Sequence, residues 1–315
     1  MCGIAGIIYK NGNGAHRLGR DITSMLQAMK HRGPDSTGYA LYHAPGQELV
    51  LRIKLADADT GVGGTKSLEF EDDLRRHRRE VEHRLAGAGA IVRSLEDVNE
   101  YTLTATLSYS GDVKRLADHV ESVPGAEVLS AGHALEIIKD LGDAKTVGAG
   151  YHLDDYFGSH GIGHVRMATE SDVDISNAHP YWAYPFSDVA VVHNGQLTNY
   201  HHWRRRLERA GHRFASECDS EIIAVYLAQK LESGMELEDA MRQSLEDLDG
   251  VFTYICVSED ALGMAKDELA AKPLVLYEGD DMVALASEEM AIRAVLDHEI
   301  ETRDPYEGEV MVWTR

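Results

Sequence analysis

Residues 2–9 read CGIAGIIY, an apolar run with two glycines. It is too short for a buried helix and reads as a buried strand. Such a strand must be covered by other layers, and the rest of the chain supplies them. Residues 11–14 carry turn signals. Apolar Ile22, Met25, Leu26 and Met29 fall at helical spacing over 21–30. The sequence HRGPDS ends that helix, because Pro34 disfavours helical geometry at the residue before it. A second strand starts near 39–42.

The stretch 44–150 has a different texture. Its pattern predicts a strand at 49–55 and a charged amphipathic helix at 68–85. Strands at 90–92 and 101–109, a helix at 113–123, an extended piece at 127–129 and a helix at 134–141 follow. The order is roughly β-α-β-β-α-β, which suits a small ferredoxin-like module. From 161 onward, strand-rich segments such as DVAVVHNGQLTN, FTYICVS and MVALASE flank helices at about 200–210, 220–232 and 237–248. Strand blocks with amphipathic helices argue for a layered α+β domain.

Charge narrows the partners. There are 31 Lys plus Arg against 53 Asp plus Glu, a net charge of −22. That field repels nucleic acid and anionic membrane surfaces. No run approaches the ~20 apolar residues of a membrane helix, and the N-terminus does not read as a signal peptide. A soluble cytoplasmic protein is expected. Cys2, Cys218 and Cys256 are too few for a disulfide framework, and no Cys/His group has zinc-ligand spacing.

Cys2 is the residue with chemistry. A free thiol titrates near 8.5 and needs activation. Once Met1 is removed, Cys2 carries an α-amine with a pKa of about 7.7–8.0. That amine can act as base for its own side chain. Around it, MCGIAGI, RGPDSTG (32–38), GHVRMAT (163–169), NAHPY (177–181), VVHNGQLTN (191–199) and CDSE (218–221) occur in order. Together they resemble the class II glutamine amidotransferase domain, an N-terminal-nucleophile (Ntn) hydrolase. The resemblance covers 1–43 and 151–315 and leaves 44–150 as an inserted α/β module, docking or regulatory. It implies a four-layer αββα sandwich.

The resemblance also implies roles. Cys2 attacks the side-chain amide of L-glutamine, and Asn194 and Gly195 form the oxyanion hole, donors suited to developing negative charge. Read alone, Asn-Gly is a hairpin turn. Arg166 takes the α-carboxylate with its forked guanidinium, and Thr169 adds a hydroxyl. Asp219 takes the α-ammonium, or else caps a helix starting near Ser220. Arg32 shapes the surroundings of Cys2. His179 matches too, as a binding or structural histidine.

No metal or organic cofactor is needed for these steps. Ammonia is expected to pass to a synthase subunit of the glutamate synthase or N-methylglutamate synthase type. A flavin or iron–sulfur centre would belong to that partner. A homo-oligomer stays open. Two rivals also stand: an Ntn amidase cleaving a different amide, and a non-catalytic glutamine-binding regulatory subunit.

Only 10 of the basic residues are Lys and 21 are Arg. An acidic, Lys-poor surface suits a salt-rich solution, where screening relieves self-repulsion. The unfolding midpoint is therefore expected to rise from low to molar salt; a flat or falling midpoint would contradict this.

Overall fold

The computed structural model describes residues 2–10, 16–44, 46–56, 68–167, 175, 178–183 and 188–315. The turn expected at 11–14 lies outside them. The chain separates into two compact units, residues 1–44 with 137–315, and residues 45–136. It opens with β1 (Gly3–Tyr9), α1 (Leu18–Ala28) and β2 (Ser36–Tyr42). The second unit holds β3 (Leu49–Lys54), α2 (Leu68–Gly87), β4 (Ile91–Asp97), β5 (Thr102–Ser108), α3 (Val113–Val120) and β6 (Glu127–Gly132). Next come β7 (Leu135–Leu141), α4 (Ala144–Gly150), β8 (His160–Arg166), β9 (Tyr181–Trp182) and β10 (Ala190–Leu197). Helices α5 (Tyr200–Arg209), α6 (Asp219–Glu232) and α7 (Leu237–Asp247) precede β11 (Gly250–Val257) and β12 (Ala261–Lys266). The chain closes with β13 (Val275–Glu278), β14 (Met282–Ala286), α8 (Glu289–Arg293) and β15 (Val310–Thr314).

The first unit is built on two sheets, ordered β13-β14-β1-β8-β2-β7 and β15-β12-β11-β10-β9. All seven residues of β1 are buried. It runs antiparallel to both neighbours, with Ala5 opposite Ala286 on β14 and opposite Gly163 on β8. β1 also faces the second sheet: a Cβ at Gly6 would stand 3.2 Å from Ile255 Cγ2 and 3.3 Å from Leu262 Cδ1. On the opposite side α1 covers β8, where a Cβ at Gly163 would meet Leu26 Cδ1 at 2.6 Å. Helix α6 packs on β10, and residues 220–228 are all buried there. Helix α7 joins the same layer, with Met241 Sδ 3.5 Å from Cys256 Sγ on β11. The result is a mixed α/β architecture on antiparallel sheets. Among the described residues, no helix is long and apolar enough to cross a membrane.

The second unit runs β-α-β-β-α-β along the chain, and its antiparallel sheet is ordered β4-β5-β3-β6. The helix expected at 134–141 is instead the strand β7. Leu135, Ile137, Ile138 and Leu141 fit helical spacing, but that periodicity is ambiguous over so few residues. Pairing beside β2 decides the outcome. The short elements α4, α8 and β15 carry too little pattern to be read from the sequence.

Two glycines separate tolerable crowding from intolerable. A Cβ at Gly38 would lie 1.9 Å from the His179 carbonyl oxygen, which is backbone, whereas Gly6 faces only side-chain methyls. Gly38→Ala is expected to destabilise by at least about 1–3 kcal/mol, well beyond Gly6→Ala, in denaturant unfolding. Equal costs would contradict this packing.

Candidate active site

The antiparallel pairing of β1 places three chain segments together. Because β1 opposes both neighbours, its N-terminal end meets the C-terminal ends of β8 and β14. Gly3 pairs with Val165, and the Ile4 carbonyl accepts the Ser287 N–H at 2.9 Å. Cys2 therefore stands beside Arg166 and Met167 on one flank and Ser287 and Glu288 on the other.

The Met167 N–H points at Cys2 Sγ, 3.4 Å away. That places a donor where negative charge on sulfur would sit. Two side chains converge on the Cys2 carbonyl: Arg32 Nε donates at 3.0 Å and Asn194 Nδ2 at 3.2 Å. The same Asn194 nitrogen donates to Ser287 Oγ at 3.3 Å, and Ser287 Oγ also accepts the Ile4 N–H at 3.0 Å. Glu288 Oε1 accepts from Arg32 Nη1 at 2.6 Å and lies 3.2 Å from His31 Nε2. Burial pulls the Glu288 carboxyl upward, but its bonds to Arg32 and His31 leave it below the usual carboxylate range. These contacts fix the backbone of the nucleophile candidate from three directions.

Asn194 and Gly195 lie inside β10, opposite Thr253 and Phe252. The hairpin-turn reading of Asn-Gly is thus corrected: flanking apolar residues carry the pair into a strand. Gly195 has φ +138°, and a Cβ there would fall 2.1 Å from the Val251 carbonyl oxygen. Only glycine fits this backbone.

Arg166 ends β8 and is buried; its carbonyl accepts the Asp35 N–H at 3.1 Å. Asp219 is the first residue of α6, and Cys218 holds the cap position. The capping alternative for Asp219 fails because its carboxylate reaches β10 instead, where Oδ2 accepts the Leu197 N–H at 2.8 Å. His179 is buried, with Nε2 2.8 Å from Ser220 Oγ. Thr169 lies outside the described residues.

The structure thus joins Cys2, Arg32 and Asn194 directly, with Arg166 one residue from the Cys2 sulfur contact. Asp219 and His179 belong to a second group around Ser220, and β10 spans both through Asn194 and Leu197. Sequence reasoning missed Ser287, Glu288, Ser220, His164 and His193. The ASEE stretch was visible only as a closing strand, and His193 only as part of HNG. Among the described residues no group of three or more His, Cys, Asp or Glu could hold a metal.

Three histidines beside this site are held neutral. Burial, then the neighbouring His193 and Arg166, push His164 down to about 3. Burial first, then the neighbouring His164, His193, Lys139 and Arg166, also depress His179. His193 is lowered by burial and then Lys272, against the pull of Asp219.

A glutamine amidotransferase domain matches residues 164–294. A putative glutamine amidotransferase of Methanothermobacter thermautotrophicus is 40% identical over 99% of this chain and 99% of its own length. The glutamine amidotransferase-like protein GlxB of Rhizobium meliloti is 34% identical over 93% of this chain and 91% of its own. Among solved structures, the B. subtilis glutamine phosphoribosylpyrophosphate amidotransferase aligns over 99% of this chain with a TM-score of 0.59 and 18% identity. This chain spans 47% of that one, and the likeness is one of fold.

Depressed histidines make stability pH-dependent. An unfolded histidine titrates near ~6.5, well above folded His164 at about 3. As pH falls below 6.5 the unfolded chain takes up a proton that the folded chain refuses. Stability is therefore whole above that value and declines toward pH 3. His164→Asn is expected to flatten this acid limb of the unfolding midpoint against pH; an unchanged slope would contradict the assignment.

Proposed function

The chain belongs to the class II glutamine amidotransferase family, and from that premise we propose that it hydrolyses L-glutamine through Cys2 as an N-terminal nucleophile. It is an enzyme that uses glutamine as an ammonia donor. The observation that carries the mechanism is the convergence of Arg32 and Asn194 on the Cys2 carbonyl beside the Met167 N–H.

After loss of Met1, the Cys2 α-amine takes the thiol proton. The thiolate attacks the amide carbon and a tetrahedral oxyanion forms. Asn194 and the Gly195 N–H are the donors for it. Both protons of the Asn194 amide are engaged in the free site, so the oxyanion replaces one of those contacts. The amine returns its proton to the leaving nitrogen and ammonia departs. Water then cleaves the thioester to glutamate. Arg166, with Thr169, takes the substrate carboxylate, and Asp219 takes the ammonium. A reader of both charges separates glutamine from a plain amide, the rival substrate.

The two facing sheets, with α1 on one and α6 and α7 on the other, support an αββα layering for 1–43 with 151–315. The β-α-β-β-α-β order between them supports a ferredoxin-like insertion within 44–150, as a docking or regulatory module. The ammonia acceptor is a synthase subunit of the glutamate or N-methylglutamate synthase type.

Glutamate release from glutamine tests the reading. The parent chain should release glutamate and Cys2→Ala should not. Arg166→Ala should raise KM by about 10- to 100-fold, the worth of a lost charge-assisted contact. Release that survives in Cys2→Ala would overturn the mechanism, and an unmoved KM in Arg166→Ala would point to a different amide.

A further inference from the structure

Ser287 joins the two sheets beside the nucleophile, and none of the steps above uses it. β14 pairs with β1 as far as Ala286, opposite Ala5. One residue further on, the Ser287 N–H still donates to the Ile4 carbonyl at 2.9 Å. In a regular antiparallel pair the Ile4 N–H would return to the Ser287 carbonyl. It goes instead to Ser287 Oγ, at 3.0 Å. The side chain thus completes the ladder where β14 ends. The same oxygen accepts Asn194 Nδ2 of β10 at 3.3 Å. Ser287 is 2% exposed and Asn194 8%.

Donor and acceptor roles here have one solution. A backbone N–H and an amide NH2 group are donors only. Ser287 Oγ therefore accepts from both, which takes its two lone pairs. The Cys2 carbonyl also only accepts, so the Asn194 atom 3.2 Å from it is the nitrogen and not the oxygen. The amide nitrogen thus lies between two acceptors, and they differ in standing. The Cys2 carbonyl has a second donor, Arg32 Nε at 3.0 Å, and stays satisfied when Asn194 turns away. Ser287 Oγ is held in place by the Ile4 N–H, two residues from the nucleophile.

We propose that Ser287 is a positioning residue for the oxyanion donor: it keeps one N–H of Asn194 throughout, while the N–H on the Cys2 carbonyl is released to the oxyanion. The proposal rests on the oxyanion role given to Asn194 above. With Ser287 as pivot, the amide serves the oxyanion without losing its place. Without the hydroxyl, Asn194 must leave the Cys2 carbonyl, its remaining acceptor, to do so. The cost falls on the transition state, because other residues hold glutamine in the ground state.

The test is a double-mutant cycle on glutamate release by the full chain. Asn194→Ala removes the donor and should lower kcat by about 100- to 1,000-fold, followed over long incubations. Ser287→Ala only misplaces the donor and should lower kcat by about tenfold, with KM unchanged. Added to Asn194→Ala, it should cost nothing further, the sign that Ser287 acts through Asn194. Ser287→Gly removes the same acceptor, lets a water reach the Ile4 N–H, and stands in if Ser287→Ala does not fold. A KM that rises in step with the fall in kcat, or the same tenfold cost in the Asn194→Ala background, would overturn the positioning role. If Asn194→Ala leaves kcat intact, the oxyanion role falls and the pivot with it; if Asn194→Ala lowers kcat and the Ser287 variants do not, only the pivot falls.

Discussion

The site depends on one pairing constraint. β1 is fully buried and antiparallel to both β8 and β14. Its first residues can lie only against the last residues of those two strands. Cys2 is thereby set beside Met167 and Ser287 without any loop having to carry it there. Shifting β1 by one residue would turn its side chains to the opposite face, moving Ile4 and Ile8 out of their places and Cys2 away from the Met167 N–H. The hydrophobic pattern that stabilises the first sheet is the same one that aims the thiol.

Around that anchor, polar groups complete the geometry at small separations. The Cys2 carbonyl takes Arg32 and Asn194, and Ser287 ties Asn194 to Ile4 of the same strand. Gly195 lets β10 approach β11 as no other residue could, with the Val251 carbonyl 2.1 Å from where a Cβ would be. The same strand carries Leu197, whose N–H steadies Asp219. One strand thus supports both the proposed oxyanion donors and the proposed ammonium ligand. The histidines behind it stay neutral because burial strips the water that a charge would need.

What could be read in advance follows from range in sequence. Cys2, Arg32, Arg166, His179, Asn194, Gly195 and Asp219 sit in short motifs whose residue types match their chemistry, so each could be singled out without coordinates. Ser287 reaches Ile4 from 283 residues away in the chain and Glu288 reaches Arg32 from 256, and neither carries a local signature. Ser220 and His193 were in plain view within CDSE and HNG, but their pairing is made by packing α6 on β10. Elements went wrong where tertiary pairing overrules pattern. The stretch LEIIKDL has helical spacing and becomes β7, whereas DVAVVHNGQLTN holds the strand that its apolar run predicts, although Asn-Gly alone has turn propensity. The order of strands and helices in the inserted unit was legible because its apolar runs are short and well separated.

The central claim is that Cys2, freed of Met1, is the nucleophile. The direct measurement is peptide mass spectrometry of the chain after brief exposure to an electrophilic glutamine analogue. The account predicts one adduct, on Cys2, in molecules that have lost Met1, and protection by glutamine. An adduct on Cys218, or equal labelling of chains that keep Met1, would contradict it.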